Sequence, residues 1–234
     1  MKGLDYYKRF SYMIPYSLSS SQRAFLLTYF GIGSLVDPTR GDLVAGLGDI
    51  TGENQLKKMH QILNRTQSGR NLLKDKPLIT KESLDVTRLR SLSSNTLGNL
   101  YINFMDKHGF SADERSKVRY ISNPDIAYVM TRYRQVHDFW HVLSGLPPTV
   151  LGEVALKWFE FKVTGLPICV MSGVLGPLKL TLNEKHKLAT VYMPWAFRNE
   201  SKFEDLLTYR YEDNLHKHID EVRAELKIEP ATVT

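Results

Sequence analysis

Two histidines and two carboxylates lie close together in the sequence and could bind one metal ion. His137, Asp138 and His141 fall within a single helical turn, and Glu153 follows twelve residues after His141. In an α-helix, residues four positions apart are separated by only about 40° around the axis. Both imidazoles would therefore project from one helix face about one turn apart, which lets a histidine pair share an ion.

Asp138 and Glu153 supply the oxygen donors of this set, and three roles are open for Asp138. It lies about 100° from His137 and about 60° from His141 around the helix. It could therefore bind the ion, accept a hydrogen bond from an imidazole N–H or act as a general base. Because two carboxylates buried beside two histidines without a cation would be costly, we predict a metal site. Such a set suits Zn²⁺, Mn²⁺, Fe²⁺ or Co²⁺, and the residues alone do not choose among them.

A predicted helical hairpin positions these side chains. The first helix starts at Asn123 as the N-cap and stops at Gly145. Its apolar residues recur at threes and fours, so the face that carries both histidines is expected to be buried. After a Pro-Pro turn, Thr149 can cap a second helix that runs to Gly165. In an antiparallel hairpin, the second histidine and the glutamate would lie about one turn from the loop on either side, as near neighbours.

The rest of the chain shows the same helical periodicity. No stretch alternates apolar and polar residues as a half-buried strand does. We predict an all-α fold, a single-domain helical bundle with a metal-bearing helical hairpin, over residues 20–228. Residues 1–19 are predicted to be a transit-like or flexible segment, and residues 229–234 a flexible tail. An apolar piece over residues 167–180 should be kinked or split, because glycines and a Gly-Pro pair interrupt it.

Composition narrows the class of protein. The 234 residues carry 31 basic and 25 acidic side chains, a net charge of +6, and the only cysteine is Cys169. One cysteine excludes an internal disulfide and a cysteine-built zinc site. Lys and Arg are spread along the chain among acids rather than concentrated with aromatic residues, which argues against a nucleic-acid partner. No apolar run reaches the length of a membrane-spanning helix.

A longer run around the candidate ligands resembles a known family. The chain reads HDFWHVLSGLPPTVLGEVALKWFEFKVTGLP, preceded by TRYRQVHD and followed by CVMSGVLGPLKL. These runs are similar to the coenzyme Q biosynthesis protein 4 family, whose signature is H-D-x-x-H followed by eleven residues and E. His137, Asp138, His141 and Glu153 match it position for position. The similarity continues more loosely over nearly the whole chain.

The resemblance implies a function in ubiquinone biosynthesis. It implies a metal-dependent oxidative decarboxylation of a polyprenylated 4-hydroxybenzoate-type precursor, in which a hydroxyl replaces the carboxylate at ring carbon 1. The resemblance further implies that the four matched residues bind the metal ion, for which Zn²⁺ is the first choice. Asp138 and Glu153 would be the catalytic carboxylates. The resemblance also implies a peripheral protein on the matrix side of the mitochondrial inner membrane, in a complex with other ubiquinone-biosynthesis proteins. A homodimer is left open.

Two other functions remain as alternatives. The first is a non-catalytic scaffold that binds lipid and organises the biosynthetic complex. The second is a phosphohydrolase, suggested by the adjacent His-Asp pair, but the additional separated ligands that such a site needs cannot be placed in this chain. The four matched ligands favour the decarboxylase over the scaffold.

Three smaller expectations concern the surroundings of the site. Lys157, one turn beyond Glu153, could pair with it or with a substrate carboxylate, and we expect an exposed helix pair. Apolar residues over 24–35 and 167–180 exceed what one hairpin needs, so we expect a hydrophobic groove beside the metal that takes a prenyl tail and opens to the membrane. The other histidines are predicted to lie on the surface: His60, His108, His186, His216 and His218.

Overall fold

A computed structural model describes residues 18–37 and 40–231 of the chain. The regular structure of these residues is helical apart from one isolated β-bridge between Thr96 and His218, so the predicted all-α class is confirmed. Most of the predicted N-terminal segment and the last three residues of the predicted tail lie outside the described residues. Within the described ranges, no helix is long and apolar enough to cross a membrane.

Helices of very different length follow one another along the chain. The α-helices are α1 (Ser20–Val36), α2 (Gly41–Arg65), α3 (Gln67–Asp75), α4 (Lys81–Leu84), α5 (Val86–Ser91), α6 (Leu97–His108), α7 (Pro124–Ser144), α8 (Val150–Thr164), α9 (Pro167–Leu175), α10 (Leu182–Lys187), α11 (Met193–Arg198), α12 (Phe203–Thr208) and α13 (Ile219–Leu226). Short 3₁₀ turns span Ala112–Glu114, Gly176–Lys179 and Tyr211–Asp213, and a π turn spans Leu188–Tyr192. The 3₁₀ turn after α9 begins at the Gly-Pro pair, so the predicted split of the segment over 167–180 is confirmed.

Local signals set the ends of the two hairpin helices. The side chain of Asn123 accepts hydrogen bonds from two backbone N–H groups in the first turn of α7, at 2.9 and 3.1 Å. Gly145 follows the last residue of α7 at φ 73°, a left-handed conformation that glycine adopts without a Cβ clash. Thr149 caps α8 through the N–H of the residue three positions on, and Gly165 ends it at φ 66°. The predicted bounds of both helices are therefore confirmed.

The described residues form two compact units. Within the described ranges, the first comprises the residues up to Pro77 together with Ser116–Arg132 and Leu166–Ile168, and the second comprises Leu78–Arg115, Tyr133–Gly165 and the residues from Cys169 onward. All of the candidate metal ligands belong to the second unit. The domain boundaries at residues 20 and 228 stay predictions.

The first unit is held together by packing and by one buried carboxylate. Asp49 on α2 is almost completely buried and accepts hydrogen bonds from the backbone N–H groups of Arg119 and Tyr120, at 2.8 and 3.3 Å. Phe30 of α1 packs against the ring of Tyr120 and directly over Gly46 of α2, where a Cβ would meet the ring at 2.6 Å. A side chain at this position would have to displace the Phe30 ring from its place over α2.

An aromatic cluster in the second unit fixes α7 against α8. Trp140 of α7 lies 6.2 Å from Phe159 of α8, and Phe159 lies 5.5 Å from Trp195, measured between ring centroids. The indole N–H of Trp140 donates to the hydroxyl of Tyr211 at 2.9 Å, which satisfies its one polar atom. Truncation of a buried aromatic residue typically costs about 3–5 kcal/mol. The cluster therefore holds the two helices in one relative register, on which the distances between their metal ligands depend.

Candidate metal centre

Three of the four predicted ligands come together between α7 and α8. One donor atom each from His137, His141 and Glu153 lies within 4.8 Å of the others. Nε2 of His141 is 3.0 Å from Oε1 of Glu153, and Nε2 of His137 is 3.6 Å from Oε2 of the same carboxylate. His141 and Glu153 are therefore neighbours across the hairpin, as predicted. Two imidazoles that converge on one carboxylate are a donor set that fits a divalent transition metal.

The imidazole of His141 is oriented by the protein backbone. Its Nδ1 lies 2.9 Å from the carbonyl oxygen of Leu146, and its ring stacks at 5.5 Å on that of Phe104. Because a carbonyl only accepts, Nδ1 must carry the proton and donate it. The other nitrogen, Nε2, is then the atom that faces Glu153 and can bind an ion.

His137 is oriented by a carboxylate that sequence reasoning missed. Its Nδ1 lies 2.5 Å from Oε1 of Glu160, whose side chain has no solvent exposure. Glu160 lies seven residues after Glu153, which places both glutamates within about 20° of each other around α8. The seven-residue spacing could have predicted the role of Glu160 from the sequence, because it puts a second carboxylate on the helix face that is turned toward the histidines.

Asp138 is not part of the three-residue group. Its carboxylate forms an ion pair with Arg115, and both side chains are largely buried. A second guanidinium nitrogen of Arg115 donates to the backbone carbonyl of Arg134 at 2.5 Å, which anchors the arginine to the same helix. The structure therefore places Asp138 with a positive partner, and its role as a ligand stays a prediction.

The expectation for Lys157 was wrong. Its side chain is largely buried, and its Nζ lies 2.6 Å from Oε2 of Glu160 rather than in an exposed pair with Glu153. The reason is that Glu160 sits deeper in the same helix and, fully buried, needs a cation close by. Of the other histidines, His186, His216 and His218 are exposed as predicted, whereas His60 and His108 are half-buried.

The charges of this cluster favour a cation. Burial opposes the ionisation of Glu153, but the hydrogen bonds and positive charge that His137 and His141 supply when both ring nitrogens carry a proton outweigh it and hold the pKa of Glu153 well below its ordinary value. Burial also opposes ionisation of Glu160, yet the neighbouring Lys157 and His137 lower the pKa of Glu160 to about 2. Both carboxylates are therefore ionised at neutral pH. Only one of these two negative charges has a lysine beside it.

Fold and site together define a class: an all-α protein with a candidate two-histidine, one-glutamate metal centre on a helical hairpin. A sequence model of the family described as coenzyme Q (ubiquinone) biosynthesis protein Coq4 matches residues 12–232. The chain therefore belongs to the Coq4 family, as the resemblance predicted, and this membership supports a role in ubiquinone biosynthesis.

Similar proteins carry names that agree with this assignment. The mitochondrial ubiquinone biosynthesis protein coq4 of Schizosaccharomyces japonicus is 40% identical over 92% of this chain and 90% of its own length. The corresponding proteins of Yarrowia lipolytica and Danio rerio are 39% and 38% identical, over 96% and 92% of this chain and 86% and 80% of their own lengths. A crystal structure of a proposed ubiquinone biosynthesis protein from Nostoc punctiforme matches with a TM-score of 0.67 at 20% identity, over 90% of this chain and 99% of that one. This last similarity concerns the fold alone.

Proposed function

We propose that this protein catalyses the metal-dependent oxidative decarboxylation of a polyprenylated 4-hydroxybenzoate-type precursor in ubiquinone biosynthesis. The observation that carries the proposal is the convergence of His137, His141 and Glu153 within 4.8 Å. Three protein ligands leave coordination positions open, which is typical of catalytic rather than structural sites. Zn²⁺ is our first choice of ion, and Mn²⁺, Fe²⁺ and Co²⁺ suit the same donors.

The reaction replaces a carboxylate on the ring with a hydroxyl. One carboxylic acid and one water yield one phenolic hydroxyl, one carbon dioxide, two protons and two electrons. An oxidant of the dioxygen class, supplied from outside the chain, accepts the electrons and two protons and becomes hydrogen peroxide. A divalent ion would hold the substrate carboxylate and stabilise the charge that develops as carbon dioxide leaves.

The protein side chains position and neutralise these groups. Both histidines are held by hydrogen bonds at Nδ1, so their Nε2 atoms need no rearrangement to bind an ion. We assign proton handling to Glu153 and Asp138. Asp138 stays our fourth proposed ligand, and to reach an ion it would exchange the ion pair with Arg115 for the metal.

Turnover of a labelled substrate tests this function. Purified protein should contain a divalent metal in about equimolar amount by plasma mass spectrometry, and it should release labelled carbon dioxide from a substrate labelled at the carboxyl carbon. Release should stop after chelation and return when Zn²⁺ or another of the four ions is added back. Unchanged release by fully metal-free protein would contradict the proposal and favour the non-catalytic scaffold.

We further propose peripheral attachment to the matrix side of the inner membrane. Apolar side chains at the end of α9 and in the residues that follow it are exposed and make up a surface with basic residues nearby in the sequence. The surface, called the apolar tip, consists of Val174, Leu175, Leu178 and Leu182, with Leu178 and Leu182 exposed by 74% and 85%. Lys179, Lys185 and His186 are exposed nearby in the sequence. An apolar surface with basic neighbours fits the interface of an anionic bilayer.

The helix α1 also exposes apolar side chains, namely Phe25, Ile32 and Val36. Both apolar segments that the sequence predicts therefore carry exposed apolar side chains.

Binding to vesicles should depend on the apolar tip. We expect the double variant Leu178→Glu/Leu182→Glu to bind vesicles of phosphatidylcholine and phosphatidylglycerol at least roughly 30-fold more weakly, because burial of even one of the two leucines contributes about 2 kcal/mol. Flotation on a density gradient measures the bound fraction. Val150→Glu is the matched control, since Val150 is exposed by 51% outside the tip. Equal flotation of all three proteins would exclude the tip as the membrane contact.

A further inference from the structure

We propose that Glu160 is a positioning residue that fixes the ring orientation and tautomer of His137, an inference that rests on the proposed metal function. The contact that carries it joins Nδ1 of His137 to Oε1 of Glu160 at 2.5 Å. An ionised carboxylate only accepts hydrogen bonds, so the proton of the imidazole lies on Nδ1. Nε2 is thereby left with its lone pair directed to the side of Glu153, 3.6 Å from Oε2.

The two oxygens of Glu160 have separate partners. Oε1 accepts from His137, whereas Oε2 accepts from the ammonium group of Lys157 at 2.6 Å and from the hydroxyl of Tyr133. The lysine Nζ also lies 3.3 Å from the Tyr133 hydroxyl. A carboxylate with no solvent exposure and partners on both oxygens has little freedom to rotate. Glu160 is therefore a rigid anchor for the imidazole.

The second histidine is held in the same way by a different acceptor. Nδ1 of His141 donates to the backbone carbonyl of Leu146 at 2.9 Å, and its Nε2 also faces Glu153. Both imidazoles thus donate through Nδ1 and turn Nε2 toward one carboxylate. Metal-binding histidines generally donate their other ring N–H to a carboxylate or carbonyl, and loss of that acceptor typically weakens metal binding by about 10–100-fold. The shared arrangement indicates that Glu160 serves the site as well as the core.

A role in the core alone must be separated from positioning. The buried pair of Lys157 and Glu160 could stabilise the fold without any effect on His137. Two double variants distinguish these roles, because both remove the ion pair and differ at position 160. In Lys157→Met/Glu160→Gln an acceptor oxygen remains for Nδ1, whereas in Lys157→Met/Glu160→Leu no acceptor remains.

Zn²⁺ affinity and the tautomer of His137 are the two measurements. By competition with a chromophoric chelator, we expect the leucine double variant to bind Zn²⁺ about 10–100-fold more weakly than the glutamine double variant. Nitrogen–proton NMR of metal-free protein, above the pH at which the imidazole titrates, should show the His137 proton on Nδ1 in the unsubstituted protein. In the leucine variant it should shift toward Nε2.

The possible results separate this proposal from the proposed function. Equal Zn²⁺ affinity of the two double variants would overturn the positioning role. If the leucine variant does not fold, the tautomer measured in the unsubstituted protein still tests the proposal. A His137 proton on Nε2 would be incompatible with a hydrogen bond from Nδ1 to Glu160. Failure of the unsubstituted protein to bind any divalent ion would contradict the metal function, while the tautomer would still test Glu160 on its own.

Discussion

Glu153→Ala and His141→Ala are expected to remove the bound metal and to lower turnover at least roughly 1000-fold. Glu153 is the carboxylate on which both imidazoles converge, at 3.0 and 3.6 Å, so its loss removes the oxygen donor common to both. A catalytic ion stabilises developing charge by several kcal/mol, and each 1.36 kcal/mol corresponds to a tenfold change in rate. The helical circular dichroism should largely persist, because α7 and α8 are also joined by the Trp140–Phe159 contact.

Metal content, turnover and circular dichroism of the same preparations check this prediction. His216→Ala is the matched control, since His216 is an exposed histidine outside the candidate centre and outside the apolar tip. It should keep both metal and activity. If His137→Ala, His141→Ala and Glu153→Ala all retained metal and activity, the histidine face of α7 would serve only to pack the core.

Asp138→Asn separates two roles for the fourth predicted ligand. As a ligand, Asp138 should lose metal on substitution in the same way as Glu153. As the partner of Arg115 alone, it should keep the metal, and the protein should lose stability because a buried guanidinium would then face an uncharged amide. Thermal unfolding together with metal analysis of this variant decides between the two roles.

The histidine pair and its glutamate are predictable because every signal behind them is local. The i, i+4 spacing fixes the imidazoles on one face, and Asn123, Gly145 and Thr149 fix where the hairpin helices begin and end. Two long helices that are joined by a short turn most simply pack side by side in antiparallel orientation. These features depend on a few residues that are close together in the sequence, so they can be predicted without the tertiary structure.

Contacts that depend on depth or on distant segments could not be predicted in the same way. Arg115 follows a 3₁₀ turn in a stretch without helical periodicity, so nothing in the sequence pairs it with Asp138. A lysine in a helix is normally exposed, and only the burial of Glu160 explains why the side chain of Lys157 turns inward. The ligands thus follow from spacing, whereas the groups that hold and neutralise them follow from packing.

Binding of substrate analogues should depend on the ring carboxylate when metal is present. Glu153 and Glu160 are both ionised at neutral pH, and Lys157 already pairs with Glu160. Without an ion, an anionic head group would therefore face the negative charge of Glu153. With a divalent ion bound, the carboxylate gains a charged partner, and such interactions typically contribute about 1.5–3 kcal/mol. We expect an acid analogue to bind roughly 10- to 100-fold more tightly than the same prenylated ring without its carboxylate.

Calorimetric titration of both analogues, before and after chelation, measures this difference, and a Glu153→Ala variant provides the metal-depleted control. Chelation should abolish the preference for the acid, since the carboxylate then loses its divalent partner. A protein that only carries the lipid would instead respond to tail length, at about 0.8 kcal/mol per buried methylene, and would bind both head groups alike. Equal affinity of the metal-loaded protein for the two analogues would mean that the open coordination positions of the ion do not bind the ring carboxylate. That result would assign this chain to the scaffold rather than to the decarboxylase.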